Sequence, residues 1–162
     1  MIKRYDDIKA DDLLDLKIEY NYHSHNYLCG HAVGTVSDYV KVAVENGLKS
    51  IGISDHFAHP ALKGCPYMNY EKFKNEYLPQ FADAEKKYGD KIKIYRGLEI
   101  EYFPDYDEFY KTLLIDTDYL ILGEHEYLYN GEIFSSFADK DDLNAAIGYF
   151  DAVIKGVKSG YF

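Results

Sequence analysis

The chain has no tryptophan and only two cysteines, Cys29 and Cys65. Two cysteines do not make the disulfide framework of a small secreted protein. Both lie in predicted loops beside histidine motifs. We interpret them as reduced thiols and leave a metal-ligand role for Cys29 open. The 162 residues, 47% of them hydrophobic, are enough for one ordinary domain with its own core.

Long apolar runs and basic residues are also scarce. No stretch approaches the ~20 apolar residues that span a bilayer, and the first residues lack a signal core. We therefore expect a cytoplasmic protein without membrane contact. The chain contains 18 Lys and Arg residues and 28 Asp and Glu residues, which gives a net charge of −10. This excludes a general nucleic-acid binder, which needs a basic surface. A small phosphorylated substrate remains compatible, because bound metal ions can dominate the local field.

Strand and helix signals alternate four times along the chain. Strands are predicted over 18–23, 50–54, 93–100 and 119–122. The helices between them are predicted from their caps and breakers: Thr35 or Ser37 to Gly47, Asn69 to Gly89 with a break at Pro79, one opened by Pro104, and one from 139–142 to Gly160. The last helix should turn one set of apolar residues inward: Leu143, Ala146, Ile147, Phe150, Ile154 and Val157. This alternation predicts an α/β fold with a parallel sheet.

Potential metal ligands follow all four predicted strands. His23 and His25 alternate, so their side chains point to the same side of a strand. His31 comes six residues later, and three further candidates close the other strands: His56, Glu99 and His125. Imidazole and carboxylate are common ligands of zinc, iron and manganese. Ligands of parallel sheets gather at the carboxyl ends of the strands, so one site can collect all six residues.

Each candidate also has a simpler interpretation. His23 and His25 suit a half-exposed edge strand, and His31 suits a loop. His56 can pair with Asp55, which we interpret as an orienting partner of a ligand histidine. His125 lies between Glu124 and Glu126, which suit a solvated loop.

Glu99 and His59 need separate interpretations. A buried glutamate is costly unless it pairs or binds a cation, which favours Glu99 as a ligand. Glu101 has the same alternation parity and competes for that role. His59 lies in a proline-containing loop near the expected mouth of the site, where a structural or substrate-facing role is favoured over ligation.

The motifs, in order, resemble those of the PHP (polymerase and histidinol phosphatase) superfamily, and within it the histidinol-phosphate phosphatases. They are His-x-His, Cys-Gly-His-Ala, Gly-Ile-Ser-Asp-His, Gly-Leu-Glu-Ile-Glu-Tyr and Asp-Tyr-Leu-Ile-Leu-Gly-x-His, spread from Asn21 to about Tyr127. The resemblance implies a distorted (β/α)7 barrel with up to three divalent metals, zinc, manganese or iron, at the strand ends.

The resemblance also implies how the metals are held. His23 and His25 would bind one metal, and Glu99 would bridge it to a second, which His125 also binds. His31 and His56 would bind the third. No side chain is then the nucleophile, since a hydroxide on the metals attacks phosphorus.

The chain departs from this family in two respects. Asn21 stands where the family has Asp, and no later His or Asp-x-His follows His125. An ordinary closed α/β barrel takes ~250 residues. We therefore expect residues 1–162 to form one PHP-like domain that is incomplete at its C-terminus. A homo-oligomer or swapped assembly would complete the barrel.

The leading functional hypothesis is a metal-dependent phosphomonoester hydrolase, the histidinol-phosphate phosphatase of histidine biosynthesis, present as a partial barrel. One alternative is a non-catalytic metal-binding or interaction module, which the missing ligands favour. Another is a different PHP hydrolase, such as a protein-tyrosine phosphatase.

Overall fold

A four-stranded parallel sheet carries the fold of this computed structural model, which describes residues 17–137 and 143–162. The strands are β1 (Tyr20–Asn21), β2 (Ser50–His56), β3 (Lys93–Ile100) and β4 (Tyr119–Leu122), in the spatial order of the chain. The sheet curls into a half-barrel with helices outside, which confirms the predicted partial barrel of parallel β/α repeats. His56 of β2 lies opposite Glu99 of β3 in the register, so two predicted ligands meet at one edge.

The helices largely follow the predicted boundaries. They are α1 (Val36–Glu45), α2 (Tyr70–Lys72), α3 (Leu78–Tyr88), α4 (Asp107–Asp116) and α5 (Leu143–Ser159). Thr35 rather than Ser37 caps α1, through a reciprocal capping box with Asp38. A π-helical segment, Phe73–Tyr77, joins α2 to α3, and Pro79 lies in the first turn of α3. The backbone stays helical from Tyr70 to Tyr88, and Pro79 follows a change from π- to α-type hydrogen bonding rather than an interruption of the helix, since proline has no N–H to donate to the preceding turn.

Several predicted boundaries were wrong. β1 has two residues instead of 18–23, and β2 continues two residues past 54. Helix α4 begins at Asp107, since Asp105 adopts a φ of 69° that a helix does not allow. An antiparallel hairpin of β5 (Glu126–Tyr129) and β6 (Glu132–Ser135) was not predicted. The expected start of the last helix at 139–142 lies outside the described residues.

Helix α5 faces the opposite way to the prediction. Its large apolar residues, Leu143, Ile147, Phe150, Ile154 and Val157, are all at least half exposed. The face that packs on the protein instead contains Gly148, Ala152 and Gly156. A Cβ atom at Gly148 would lie 2.6 Å from Cγ of Tyr129, so only a glycine permits this approach. We call the five exposed residues the α5 stripe.

The core lies between the sheet and helices α1, α3 and α4. Every residue of β2 is buried, which is typical of a central parallel strand. The hydroxyl group of Tyr77 lies 2.8 Å from the carbonyl oxygen of Ile53 and 2.7 Å from that of Gly97. This side chain ties the helical layer to β2 and β3 just before their carboxyl ends. No helix within the described residues is long and apolar enough to cross a membrane.

Candidate metal centre

The carboxylate of Glu99 lies at the centre of a histidine cluster. Its Oε2 atom is 2.9 Å from Nε2 of His23, 3.1 Å from Nε2 of His25 and 3.5 Å from Nδ1 of His56. Its Oε1 atom is 3.2 Å from Nε2 of His125. His56 is the last residue of β2 and Glu99 belongs to β3, while the other imidazoles come from the segments that follow β1 and β4. The carboxyl ends of four parallel strands therefore deliver one cluster.

His31 joins this cluster from the loop before α1. Its ring centroid lies 5.1 Å from that of His25 and 5.0 Å from that of His56. Within the described ranges, three sets of side chains bring potential ligand atoms within 4.8 Å of one another. They are His23, His25 and Glu99; His56, Glu99 and His125; and His25, Cys29 and His31. All six predicted ligands thus lie together, with Cys29 beside them.

Asp55 lies behind the cluster and contacts His25 rather than its neighbour His56. The side chain of Asp55 is fully buried, and its Oδ1 atom is 3.5 Å from Nδ1 of His25. The same oxygen accepts a hydrogen bond from the backbone amide of Asn26. Asp55 is therefore placed to orient the ring of His25, as such a carboxylate does behind a metal ligand.

Comparison with known proteins adds the family. The PHP domain family matches residues 21–159, which is most of the chain. The chain belongs to the PHP domain family. The predicted resemblance is thereby confirmed.

Relatives of this PHP chain are named as phosphatases. A Deinococcus radiodurans protein named probable histidinol-phosphatase is 27% identical over 147 residues, which cover 86% of this chain and 56% of that protein. A protein of Acetivibrio thermocellus named probable phosphatase is 34% identical over 84 residues, which cover 52% of this chain and 31% of that protein. The chain thus spans about half the length, or less, of the curated relatives it matches.

Solved structures agree on the fold. The HisK protein of Listeria monocytogenes superimposes with a TM-score of 0.69 at 19% identity, covering 86% of this chain and 61% of that one. The histidinol phosphate phosphatase of Lactococcus lactis, solved with zinc, L-histidinol and phosphate, gives 0.66 at 19% identity, covering 86% and 53%. At this identity the likeness establishes the fold alone.

Contacts and burial shift the pKa values of the residues in the PHP cluster in opposite directions. Burial opposes ionisation of Glu99, but hydrogen bonds from His125, His25 and His23 hold its pKa well below the usual value. The nearby carboxylates of Asp55 and Glu99 raise the pKa of His25 to about 9. Burial lowers the pKa of His56 to about 4, and repulsion by neighbouring imidazoles adds to this. The rings therefore cannot all be protonated together.

The donor set fits divalent metal ions. Imidazole nitrogens crowd around one carboxylate, and two buried atoms behind them, Nδ1 of His25 and Oδ2 of Asp55, have no hydrogen-bond partner among the described residues. Buried polar atoms without partners are costly. A divalent cation bound by the imidazole nitrogens and the carboxylate would supply the positive charge that protons on the histidines otherwise supply. Histidine with carboxylate suits zinc, iron or manganese.

Three further residues, Gly123, Tyr67 and Phe137, lie near the centre. A Cβ atom at Gly123 would lie 2.4 Å from Cγ of Glu99, so this glycine leaves room for the central carboxylate. The ring of Tyr67 stacks on His56 with centroids 4.4 Å apart, and Phe137 stacks on His125 at 5.4 Å. Gly123 precedes the His125 motif directly, whereas Phe137 carries no local sequence signal.

His59 is a structural residue, and the substrate-facing alternative was wrong. Its side chain is almost fully buried among aromatic rings, including Phe103 and Phe109. The backbone amide of Ala61 donates to its Nδ1 atom, so Nε2 carries the proton that faces the Tyr110 hydroxyl at 3.0 Å. These contacts satisfy both ring nitrogens within the protein.

Proposed function

We propose that this PHP chain is the metal-binding part of a metal-dependent phosphomonoester hydrolase, with L-histidinol phosphate as substrate and histidine biosynthesis as its context. The observation that carries the proposal is the contact of one buried carboxylate, Glu99, with four imidazoles. The names of the relatives support the reaction class. The L-histidinol and phosphate bound to the Lactococcus protein support the substrate.

The chain's own residues would hold and orient the ions. His23 and His25 with Glu99 would hold one ion, and Glu99 with His56 and His125 a second. His31, beside His56 and Cys29, would hold the third. Asp55 would fix the orientation of His25. Divalent ions in such a site neutralise phosphate charge. They also lower the pKa of bound water, so that hydroxide is available to attack phosphorus near neutral pH.

A non-catalytic metal-binding module is the second candidate. It is favoured by Asn21, which stands where the family has Asp and therefore supplies no negative charge beside His23 and His25. A protein-tyrosine phosphatase of the same family is a third candidate. The cytoplasmic location and the single-domain organisation expected from the sequence stay predictions.

Metal content and phosphate release separate these candidates. The purified chain is stripped of metal, loaded with zinc, manganese or iron(II), and assayed with L-histidinol phosphate, a phosphotyrosine peptide and p-nitrophenyl phosphate. We expect two or three ions per chain and selective release from L-histidinol phosphate. Glu99→Gln should weaken zinc binding by about 100-fold or more, since even the loss of an outer-shell partner costs about 10- to 100-fold.

Glu85→Gln, on an exposed position of α3, is the matched control and should bind zinc like the unaltered chain. Bound metal without phosphate release from any ester would favour the non-catalytic module. Release from the phosphopeptide alone would favour the tyrosine phosphatase. A chain that takes up no metal would contradict the whole proposal.

A further inference from the structure

We propose that Glu101 binds a positively charged group of the substrate, a primary ammonium, in a cavity beside the metal centre. The inference rests on the proposed function for the position of the substrate's phosphate. Glu101 would determine substrate specificity and belongs to none of the three sets of potential metal ligands.

The cavity has a volume of about 630 Å³ and shares a wall with the metal centre. We call it the Glu101 cavity. His125, Tyr67 and Phe137 all line it, and the two aromatic rings also stack on ligand histidines of the centre. A phosphate held by ions at Glu99 would therefore lie next to this cavity, which is large enough to take its organic group.

The Glu101 side chain is a buried carboxylate with one oxygen that lacks a hydrogen-bond partner among the described residues. The residue is only 1% exposed, and the oxygen without a partner is Oε1. An ionised carboxylate without a partner is costly to bury, so a cation arriving in the cavity would relieve that cost. An ammonium group offers three hydrogen-bond donors and the complementary charge.

The lining of the cavity has the charge that such a ligand needs. Glu126 lines it together with Glu101. Lys63 is the one lysine or arginine among its described lining residues, and that side chain is exposed. Apolar residues such as Leu62 and Ile133 complete the wall and can contact the carbon skeleton of a small ligand.

A second buried glutamate provides a built-in comparison. Glu124 is also nearly inaccessible and has one unpartnered oxygen, Oε1. Its other oxygen accepts a hydrogen bond from the backbone amide of Tyr102 at 2.9 Å, and the residue is absent from the lining of the Glu101 cavity. A requirement for buried negative charge alone would affect both residues, whereas ammonium binding should involve Glu101 only.

The test compares two phosphonates of nearly equal size on the zinc-loaded chain, because a phosphomonoester hydrolase cannot cleave their P–C bonds. Isothermal titration calorimetry measures the Kd of 2-aminoethylphosphonate, which has an ammonium group, and of propylphosphonate, which has none. The unaltered chain should prefer 2-aminoethylphosphonate by about tenfold or more, the effect of one hydrogen-bonded charge pair. Glu101→Gln should abolish this preference and leave the Kd of propylphosphonate within about twofold. Glu124→Gln should keep the preference.

Zinc content and thermal unfolding are measured for each variant, so that a folding defect is recognised. A preference that persists in folded Glu101→Gln would overturn the inference, and so would loss of zinc from that variant, which would make Glu101 a metal ligand. Equal affinity of the unaltered chain for both phosphonates would overturn it as well and leave the proposed hydrolase intact. If neither phosphonate binds, the proposed phosphate site is contradicted. Ethanolamine alone, followed by NMR, then decides: binding that Glu101→Gln removes supports the inference, and absence of binding refutes it.

Discussion

A single carboxylate sets the chemistry of the candidate site at the scale of residues. Glu99 is 5% exposed and contacts four imidazoles, whereas Glu101, two residues on, faces a cavity. The alternation of a strand places both on one side, so the sequence left them as competitors. Their separation arises because β3 ends at Ile100, and Glu101 continues past the cluster.

His59 should make the metal-free chain sensitive to acid. Burial lowers the pKa of His59 to about 4, below the 6.5 of an exposed histidine. The unfolded chain therefore takes up the proton first as the pH falls. The stability that neutral His59 contributes is complete above pH 6.5 and is lost as the pH falls toward 4, by up to about 3 kcal/mol.

His59→Gln should flatten this dependence, because an amide can replace both hydrogen bonds without titrating. Urea unfolding of the metal-free chain and of the variant, between pH 7.5 and 4, measures the difference in slope. Parallel curves for the two proteins would contradict the assignment of a depressed pKa.

Small residues decide how the elements approach one another. Gly148 lets α5 pack against Tyr129, and Gly123 lets the turn after β4 pass close to Glu99. Helix α5 thereby turns its glycines inward and its large apolar residues outward. Periodicity alone predicted the reverse, since it assigns the larger apolar side chains to the core.

Gly123→Ala should damage the metal centre more than the fold. The new methyl group would overlap the Glu99 side chain, which must then move away from the histidines. We expect zinc affinity to fall by about tenfold or more. The free energy of unfolding of the metal-free chain should fall by about 1–3 kcal/mol.

Gly148→Ala is the matched control, because it crowds Tyr129 in a similar way but away from the cluster. It should lower stability and leave zinc affinity unchanged. Calorimetric titration with zinc and chemical unfolding measure both quantities. Equal zinc affinity of Gly123→Ala and the unaltered chain would contradict the role of Gly123.

At the scale of the whole molecule, the described residues form a half-barrel with exposed apolar surface. Within the described residues, β1 and β4 each pair on one side only. A groove of about 770 Å³ beside β1 is lined in part by Ile18, Val33 and Val42. The α5 stripe is exposed as well. Open strand edges and contiguous apolar surface favour association with another polypeptide.

We expect a second copy of the chain to cover the α5 stripe, because its residues repeat at alternating spacings of four and three along the helix, as in helix–helix interfaces. Sedimentation velocity should show a concentration-dependent dimer. The double substitution Ile147→Glu and Ile154→Glu should raise the Kd of the dimer by about tenfold or more, because it would bury two charges in the interface.

Ala82→Glu, on an exposed position of α3, is the control and should dimerise normally. Zinc binding should be unchanged in both variants. A chain that remains a single monomeric species at all concentrations would contradict this assembly.

Features that depend on neighbouring residues could be predicted without coordinates. Alternation placed His23 and His25 on one side, the parallel-sheet rule brought His56, Glu99 and His125 to one edge, and Thr35 and Pro79 marked helix boundaries. Features that depend on contacts distant in the chain could not. The direction of α5, the burial of His59 and the cavity at Glu101 arise from close packing, where a missing Cβ atom or an aromatic ring far away in sequence outweighs local preference.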